Sequence, residues 1–143
     1  MRYLRLFLGM RPQLRWILIK TTIYSLWAEI FVLTHRDYLL RRSTRNYPEA
    51  SSHSPHELQV IRDVRKASKI IGKRAPWDPI CLNLAYVGKK ILHEHNIEST
   101  FRLGYLQGKP KNQMEGHAWI TVDSKLVTGW LANLDEYVEM TKP

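Results

Sequence analysis

Up to about Asn96 the apolar residues of this chain recur with a helical period, and from Glu98 onward they recur every second residue. That switch constrains the fold more than any other feature. Upstream, Ser54-Pro55-His56-Glu57 reads as a capping box with proline at the first helical position. Leu58, Ile61, Val64, Ala67, Ile70 and Ile71 follow on one face, and Gly72 is the expected stop. A second helix is expected from residue 79 to about 95, with Asp78 as N-cap and Pro79 as its first residue. It buries Leu82, Ala85, Tyr86, Val87 and Leu92, allows close contact at Gly88 and ends at Asn96. Downstream, Phe101, Leu103 and Tyr105 alternate with Thr100, Arg102 and Gly104, the pattern of a half-buried strand. A loop over 107–116 precedes a strand over 117–122, a tight turn at Asp123-Ser124, a return strand from 125 to about 130 and a short strand over 137–140. Helices first and an antiparallel meander afterwards make an α+β layout rather than an alternating α/β one.

The apolar run 16–33 is long enough to suggest a membrane span, but Lys20 and Glu29 interrupt it. A charge at mid-bilayer costs about 3 kcal/mol or more. Trp16, Ile19, Ile23, Leu26, Trp27, Ile30 and Leu33 instead trace a helical stripe, with Lys20, Thr21, Ser25 and Glu29 largely off it. The stripe is expected to pack on the rest of the protein, a reading favoured over contact with a membrane surface or a partner. The segment before it, Met1 to Leu8, is basic and apolar but broken by Arg5 and followed by no small-residue cleavage pattern, so it reads as part of the mature protein. Polar residues over 41–53 then connect a helical region, 1–53, to a core, 54–143, the whole forming one compact unit.

The 143 residues include a single cysteine. This excludes an intrachain disulfide framework and any multi-thiolate zinc site, and it makes a reducing cytoplasm the expected setting, with a peripheral place at the inner membrane surface as a variant. The formal charge of +9 predicts attraction to acidic peptides, nucleic acids or anionic membranes. Lys and Arg are scattered without a recognition motif, which speaks against nucleic-acid binding, and Arg36, Arg41, Arg42 and Arg45 read as a solvated face. His93-Glu94-His95 resembles a metal cluster only on paper, because positions two apart on a helix point to different sides. No metal and no cofactor are expected.

Chemistry is expected at Cys81. In the first turn of a helix its thiol meets unpaired backbone N–H groups and the positive end of the macrodipole, which favour the thiolate. His117, at the head of an apolar strand, is the candidate proton shuttle. Each residue alone is more often structural, while together they form the arrangement of papain-like and transglutaminase-like thiol enzymes.

Trp77-Asp78-Pro79-Ile80-Cys81-Leu82, the helix after it, Ile97 through Tyr105, Gly116-His117-Ala118-Trp119-Ile120 and Val127-Thr128-Gly129 resemble the lasso-peptide B2 leader peptidases, which are transglutaminase-like cysteine peptidases. The resemblance implies N-terminal helices followed by a transglutaminase/papain-like core, with the catalytic Cys at a helix N-terminus packed on a small antiparallel sheet. It further implies removal of the leader from a ribosomally made lasso precursor peptide, a small leader-binding B1 partner and a cyclase that closes the ring. The stripe around Trp16, Ile23 and Trp27 is the candidate docking surface for B1. Cys81 would attack the leader–core carbonyl, His117 would protonate the departing amine, and the Cys81 N–H would donate to the oxyanion.

Relatives often carry an Asp on the returning strand to orient the imidazole, and Val127-Thr128-Gly129-Trp130 offers none. Asp123 lies six residues from His117, about 20 Å along an extended strand. Asp135 ranks first as the orienting residue, with Thr128, Asn133 or a backbone carbonyl as alternatives and a plain Cys–His dyad also open. Trp77 and Trp119 flank the pair and are candidate walls of a peptide cleft. An acyl transferase on the same nucleophile and a non-catalytic scaffold protein are the competing functional readings.

Overall fold

The computed structural model describes residues 1–44, 46, 48, 52–110 and 115–140, without the side chains of 39, 42 and 43. Part of the connecting segment, Arg45 included, and the middle of the 107–116 loop therefore lie outside the described residues, as does the Arg42 side chain. Four helices, α1 (Arg2–Leu8), α2 (Pro12–Ser43), α3 (Pro55–Arg74) and α4 (Cys81–Glu94), precede β1 (Thr100–Leu106), β2 (Gly116–Val122) and β3 (Lys125–Thr128). A 3-10 turn, Leu134–Glu136, leads into β4 (Tyr137–Glu139). The strands form one antiparallel sheet in the order β3-β2-β1-β4, so the class is α+β.

The α3 start follows from local chemistry. Glu57 N–H donates to Ser54 Oγ at 3.2 Å and Ser54 N–H donates to Glu57 Oε2 at 2.7 Å, a closed capping box. Val60, Ile61, Val64, Ala67 and Ile71 are buried, whereas Leu58, expected in the core, is exposed. The helix also runs past Gly72 to Arg74. Gly72 serves packing there, since a Cβ on it would lie 3.1 Å from Leu84 Cδ1. The helix stops at Ala75, extended at φ −68°, ψ 130°, as a residue before proline prefers.

The α4 start corrects the expectation. Asp78 is not the N-cap: it closes a turn, with its N–H on Ala75 O at 3.2 Å, and takes a left-handed φ of 46°. The turn uses the residues that were to begin the helix, so Ile80 becomes the N-cap and Cys81 the first helical residue. At the other end Asn96, with φ 58°, closes a Schellman motif: Asn96 N–H bonds His93 O at 2.9 Å and Ile97 N–H bonds Leu92 O at 3.0 Å.

In the sheet, Asp123 and Ser124 both have positive φ, 50° and 61°, as a two-residue hairpin turn with the right twist requires. β1 pairs on both sides, and its alternation is not the simple one expected. Gly104 is buried because the Trp119 indole lies over it; a Cβ there would stand 2.8 Å from Trp119 Cη2. β3 ends at Thr128 rather than near Trp130, because Gly129 turns the chain with φ 82°.

α2 reverses another expectation. Its buried face is Leu14, Ile17, Thr21, Ser25 and Ala28, while Trp16, Ile19, Ile23, Leu26, Trp27, Ile30 and Leu33 face outward. Short side chains let α2 approach α3 and α4, and the polar ones have partners: Thr21 Oγ1 donates to Ile17 O at 2.7 Å and Ser25 Oγ accepts from Trp77 Nε1 at 3.1 Å, while Asn83 Nδ2 donates to the Ser25 carbonyl at 2.9 Å and to Glu29 Oε2 at 2.7 Å. Ile17 and Ala28 join one continuous core with Val64, Val87, Ile97 and Ile120. The helical run is broken at His35, whose φ of −138° and ψ of 42° are not helical.

Candidate active site

Three elements bring the site together. The start of α4 carries Cys81, the start of β2 carries His117, and the residue after β3 is Gly129. Ile80 has no oxygen to offer as an N-cap, and no side chain caps this helix. The first intrahelical bond is Leu84 N–H to Ile80 O at 3.2 Å, which leaves the N–H groups of Cys81, Leu82 and Asn83 without helical partners.

The half-buried Cys81 thiol is subject to opposing effects. Burial pushes its pKa up, but the hydrogen bond with His117, the Ala118 N–H, the charge on His117 and the Leu82 N–H together outweigh burial and hold it below the ordinary thiol value. For His117 burial pulls the pKa down. The hydrogen bond with Cys81, the Gly129 carbonyl and the charge on Cys81 outweigh that and hold it above the ordinary imidazole value. Each partner thus favours the charged form of the other, and the two titrate as a coupled pair.

His117 is fixed on several sides. Its Nε2 bonds the Gly129 carbonyl at 2.8 Å, which leaves Nδ1 for Cys81. Trp119 stacks on the ring at 5.8 Å between centroids and 18° between planes, and Tyr137 meets it at 5.5 Å and 56°. Only glycine fits at 129. Besides its left-handed φ, a Cβ there would lie 2.6 Å from both Ala118 O and Trp119 Cβ.

Of the residues expected from sequence, Cys81 and His117 are brought together. Asp135 is not the orienting partner: it is exposed in the 3-10 turn, and the carbonyl of Gly129 takes the position on Nε2. A backbone carbonyl needs no side chain, so a carboxylate on the return strand is dispensable. Asp123 faces away from the site, 3.4 Å from His53 Nε2. Trp119, expected to wall a cleft, is buried and supports the imidazole. Trp77 is half-buried, and its indole N–H donates to Ser25 Oγ at 3.1 Å, tying the turn before α4 to α2. Ile80, directly before Cys81, and Trp130, directly after Gly129, are exposed apolar residues, at 41% and 66%.

Gly129, Tyr137 and the N–H groups of Leu82 and Ala118 were not singled out by sequence reasoning. Of these only Gly129 left a signal, a glycine directly after the return strand of the His117 hairpin. The side chains of His93-Glu94-His95 diverge: His93 Nδ1 pairs with Glu98 at 2.8 Å, while Glu94 takes Lys20 at 2.6 Å and Tyr24 at 2.8 Å.

A thiol at a helix start, paired with a fixed imidazole on an antiparallel sheet, defines a class of cysteine hydrolases and acyl transferases. Residues 24–142 match the transglutaminase-like superfamily, and the chain belongs to it. No curated protein and no solved structure is significantly similar to the chain.

Proposed function

We propose that this protein is a cysteine peptidase that removes the leader from a ribosomally synthesised lasso precursor peptide. The observation that carries the reading is the thiol of Cys81, lowered in pKa at an uncapped helix start and paired with an imidazole that Gly129 holds from behind. The likeness of the segments around Cys81, His117 and Gly129 to lasso B2 leader peptidases supports the choice of substrate.

In this mechanism the Cys81 thiolate attacks the carbonyl carbon of the leader–core amide, and the Cys81 N–H, free at the first helical position, donates to the oxyanion. Collapse of the tetrahedral adduct breaks the C–N bond. The His117 imidazolium gives its proton to the core amine, which leaves. Neutral His117 then takes a proton from water, and the resulting hydroxide attacks the thioester, releasing the leader carboxylate and regenerating the thiolate–imidazolium pair. A small leader-binding B1 protein delivers the substrate, which raises its effective concentration near Cys81 and supplies selectivity that a few cleft contacts cannot.

The test is mass spectrometry of precursor incubated with the protein and a leader-binding partner. Free leader and free core are expected, and Cys81→Ala should abolish both while leaving the melting temperature nearly unchanged. Full cleavage by the alanine variant overturns the proposal, and a leader joined to an added amine assigns the site to acyl transfer instead of hydrolysis.

A further inference from the structure

Among the described residues, nothing covers the outward face of the N-terminal helices. On α2, Trp16, Ile23, Trp27 and Ile30 are 57%, 58%, 47% and 65% exposed. The short α1 buries none of its residues, and Tyr3, Leu4, Leu6 and Leu8 are all exposed. Stable monomers rarely leave so many large apolar side chains in water.

Charge identifies what covers it. Before Glu29 the chain holds Arg2, Arg5, Arg11, Arg15 and Lys20 and no acidic residue. Arg11 is paired with Asp63 at 2.7 Å and Lys20 with Glu94 at 2.6 Å, so Arg2, Arg5 and Arg15 carry the positive charge of this end. The Arg74 guanidinium lies 5.3 Å from the Tyr3 ring centroid, which sets α1 beside the basic side chains of α3, where Lys69, Lys73 and Arg74 line a common groove. The result is an apolar face continuous with a cationic border, with aromatic rings along it.

We infer that α1 and the outward face of α2 form an in-plane docking surface for an anionic lipid bilayer. Apolar side chains enter the acyl boundary, the Trp and Tyr rings sit at the headgroup level, and the Arg and Lys side chains meet lipid phosphates. The segment Pro12–Tyr38 is long and apolar enough to cross a membrane, but its opposite face is occupied. Leu14, Ile17, Thr21, Ser25 and Ala28 are buried against the protein, and Ser25 and Glu29 accept hydrogen bonds from Asn83, so lipid cannot surround the helix. It lies along the surface with one face on protein and the other on lipid. The inference does not depend on the peptidase reading, because it is measured without turnover.

The experiment is vesicle flotation of the full chain. Wild type should float with phosphatidylglycerol/phosphatidylcholine vesicles and much less with phosphatidylcholine alone. Ile23→Asp with Trp27→Asp should cut the bound fraction on the order of tenfold or more. Arg2→Glu with Arg5→Glu should cost about fivefold per cation on anionic vesicles only. Circular dichroism checks that each variant is folded, and the α1 pair keeps the test decisive if the α2 pair is not, because α1 buries nothing. The proposal is overturned if wild type floats with neither vesicle, or if neither pair of substitutions lowers flotation. It is equally overturned by a stable dimer that these substitutions dissociate, or by a leader-binding protein that takes up the face of a chain indifferent to vesicles.

Discussion

At the start of α3, Ser54 and Glu57 exchange two bonds from backbone N–H to side-chain oxygen, and Pro55 removes a third donor. At the start of α4, Ile80 offers no acceptor, and the open N–H groups stand beside Cys81 instead. The two helices pack against each other and against the same sheet, but Ser54, Pro55 and His56 are exposed at the α3 start, whereas Leu82 and Asn83 are buried at the α4 start. The difference lies in what each terminus is for. A closed cap contributes stability, about 1 kcal/mol, and leaves nothing for a ligand. An open terminus forgoes that contribution and keeps its donors for a developing or resident negative charge.

The largest expected effect comes from removing the imidazole that the open terminus works with. His117→Ala should lower turnover by about two to four orders of magnitude. It should also move the pH midpoint of Cys81 alkylation upward. In the wild type the thiolate forms at lower pH than an ordinary thiolate does, because the hydrogen bond and charge of His117 and two N–H groups outweigh burial. Without His117 the raising effect of burial remains and the largest lowering effect is gone. The activity profile of the wild type should rise through the Cys81 pKa and fall through the raised His117 pKa; iodoacetamide kinetics against pH, with wild type and variant side by side, check the sign. An unchanged midpoint would mean that the open helix end alone sustains the thiolate.

Gly129→Ala should come next. Alanine at φ 82° costs about 1–2 kcal/mol, and overlap with Ala118 O and Trp119 Cβ adds about 1–3 kcal/mol. Relief requires the carbonyl that holds His117 to move, so turnover should fall further than the loss of folded protein explains. Urea melts combined with kcat on the folded fraction separate the two effects. Asp135→Asn should leave both unchanged, and a large loss of turnover there would return the orienting role to the carboxylate.

Ile80→Ser converts the open terminus into a capped one. The serine oxygen competes with the thiolate for the Leu82 N–H, at the second helical position, so stability should rise by about 0.5–1 kcal/mol while alkylation at neutral pH slows. If reactivity is unchanged, the uncapped end is incidental. The smallest effect belongs to the other helix: Ser54→Ala should cost about 1 kcal/mol in a urea melt and leave the alkylation rate as it was.

How far these features are legible in sequence depends on how local their causes are. The capping box at Ser54, the turn at Asp123-Ser124 and the Asn96 stop each involve a few neighbouring residues, and each forms where the residue types place it. The thiol at a helix start is nearly as local. Its exact position slipped because Asp78 and Pro79 are as well suited to a turn as to an N-cap, and the buried Pro79 and the Trp77–Ser25 tie favour the turn. A backbone carbonyl was among the alternatives for holding His117, but which carbonyl it would be was out of reach for another reason. A carbonyl belongs to every residue alike, and only the register of the β2–β3 hairpin decides that the one aimed at Nε2 is that of Gly129.

The N-terminal stripe marks the limit most clearly. Sequence by itself determined that α2 would be helical, and that its large apolar residues and its small polar ones would lie on different faces, because both follow from a period fixed by backbone geometry. Which face turns inward was decided by the tertiary structure. α3 and α4 come close enough that Thr21, Ser25 and Ala28 fit between helices where Trp16, Ile23 and Trp27 would not, and Asn83 and Trp77 supply hydrogen bonds that make the polar face the better one to bury. Hydrophobicity ranks residues by their cost in water, but the space and the donors that a neighbouring element presents exist only once the chain has folded.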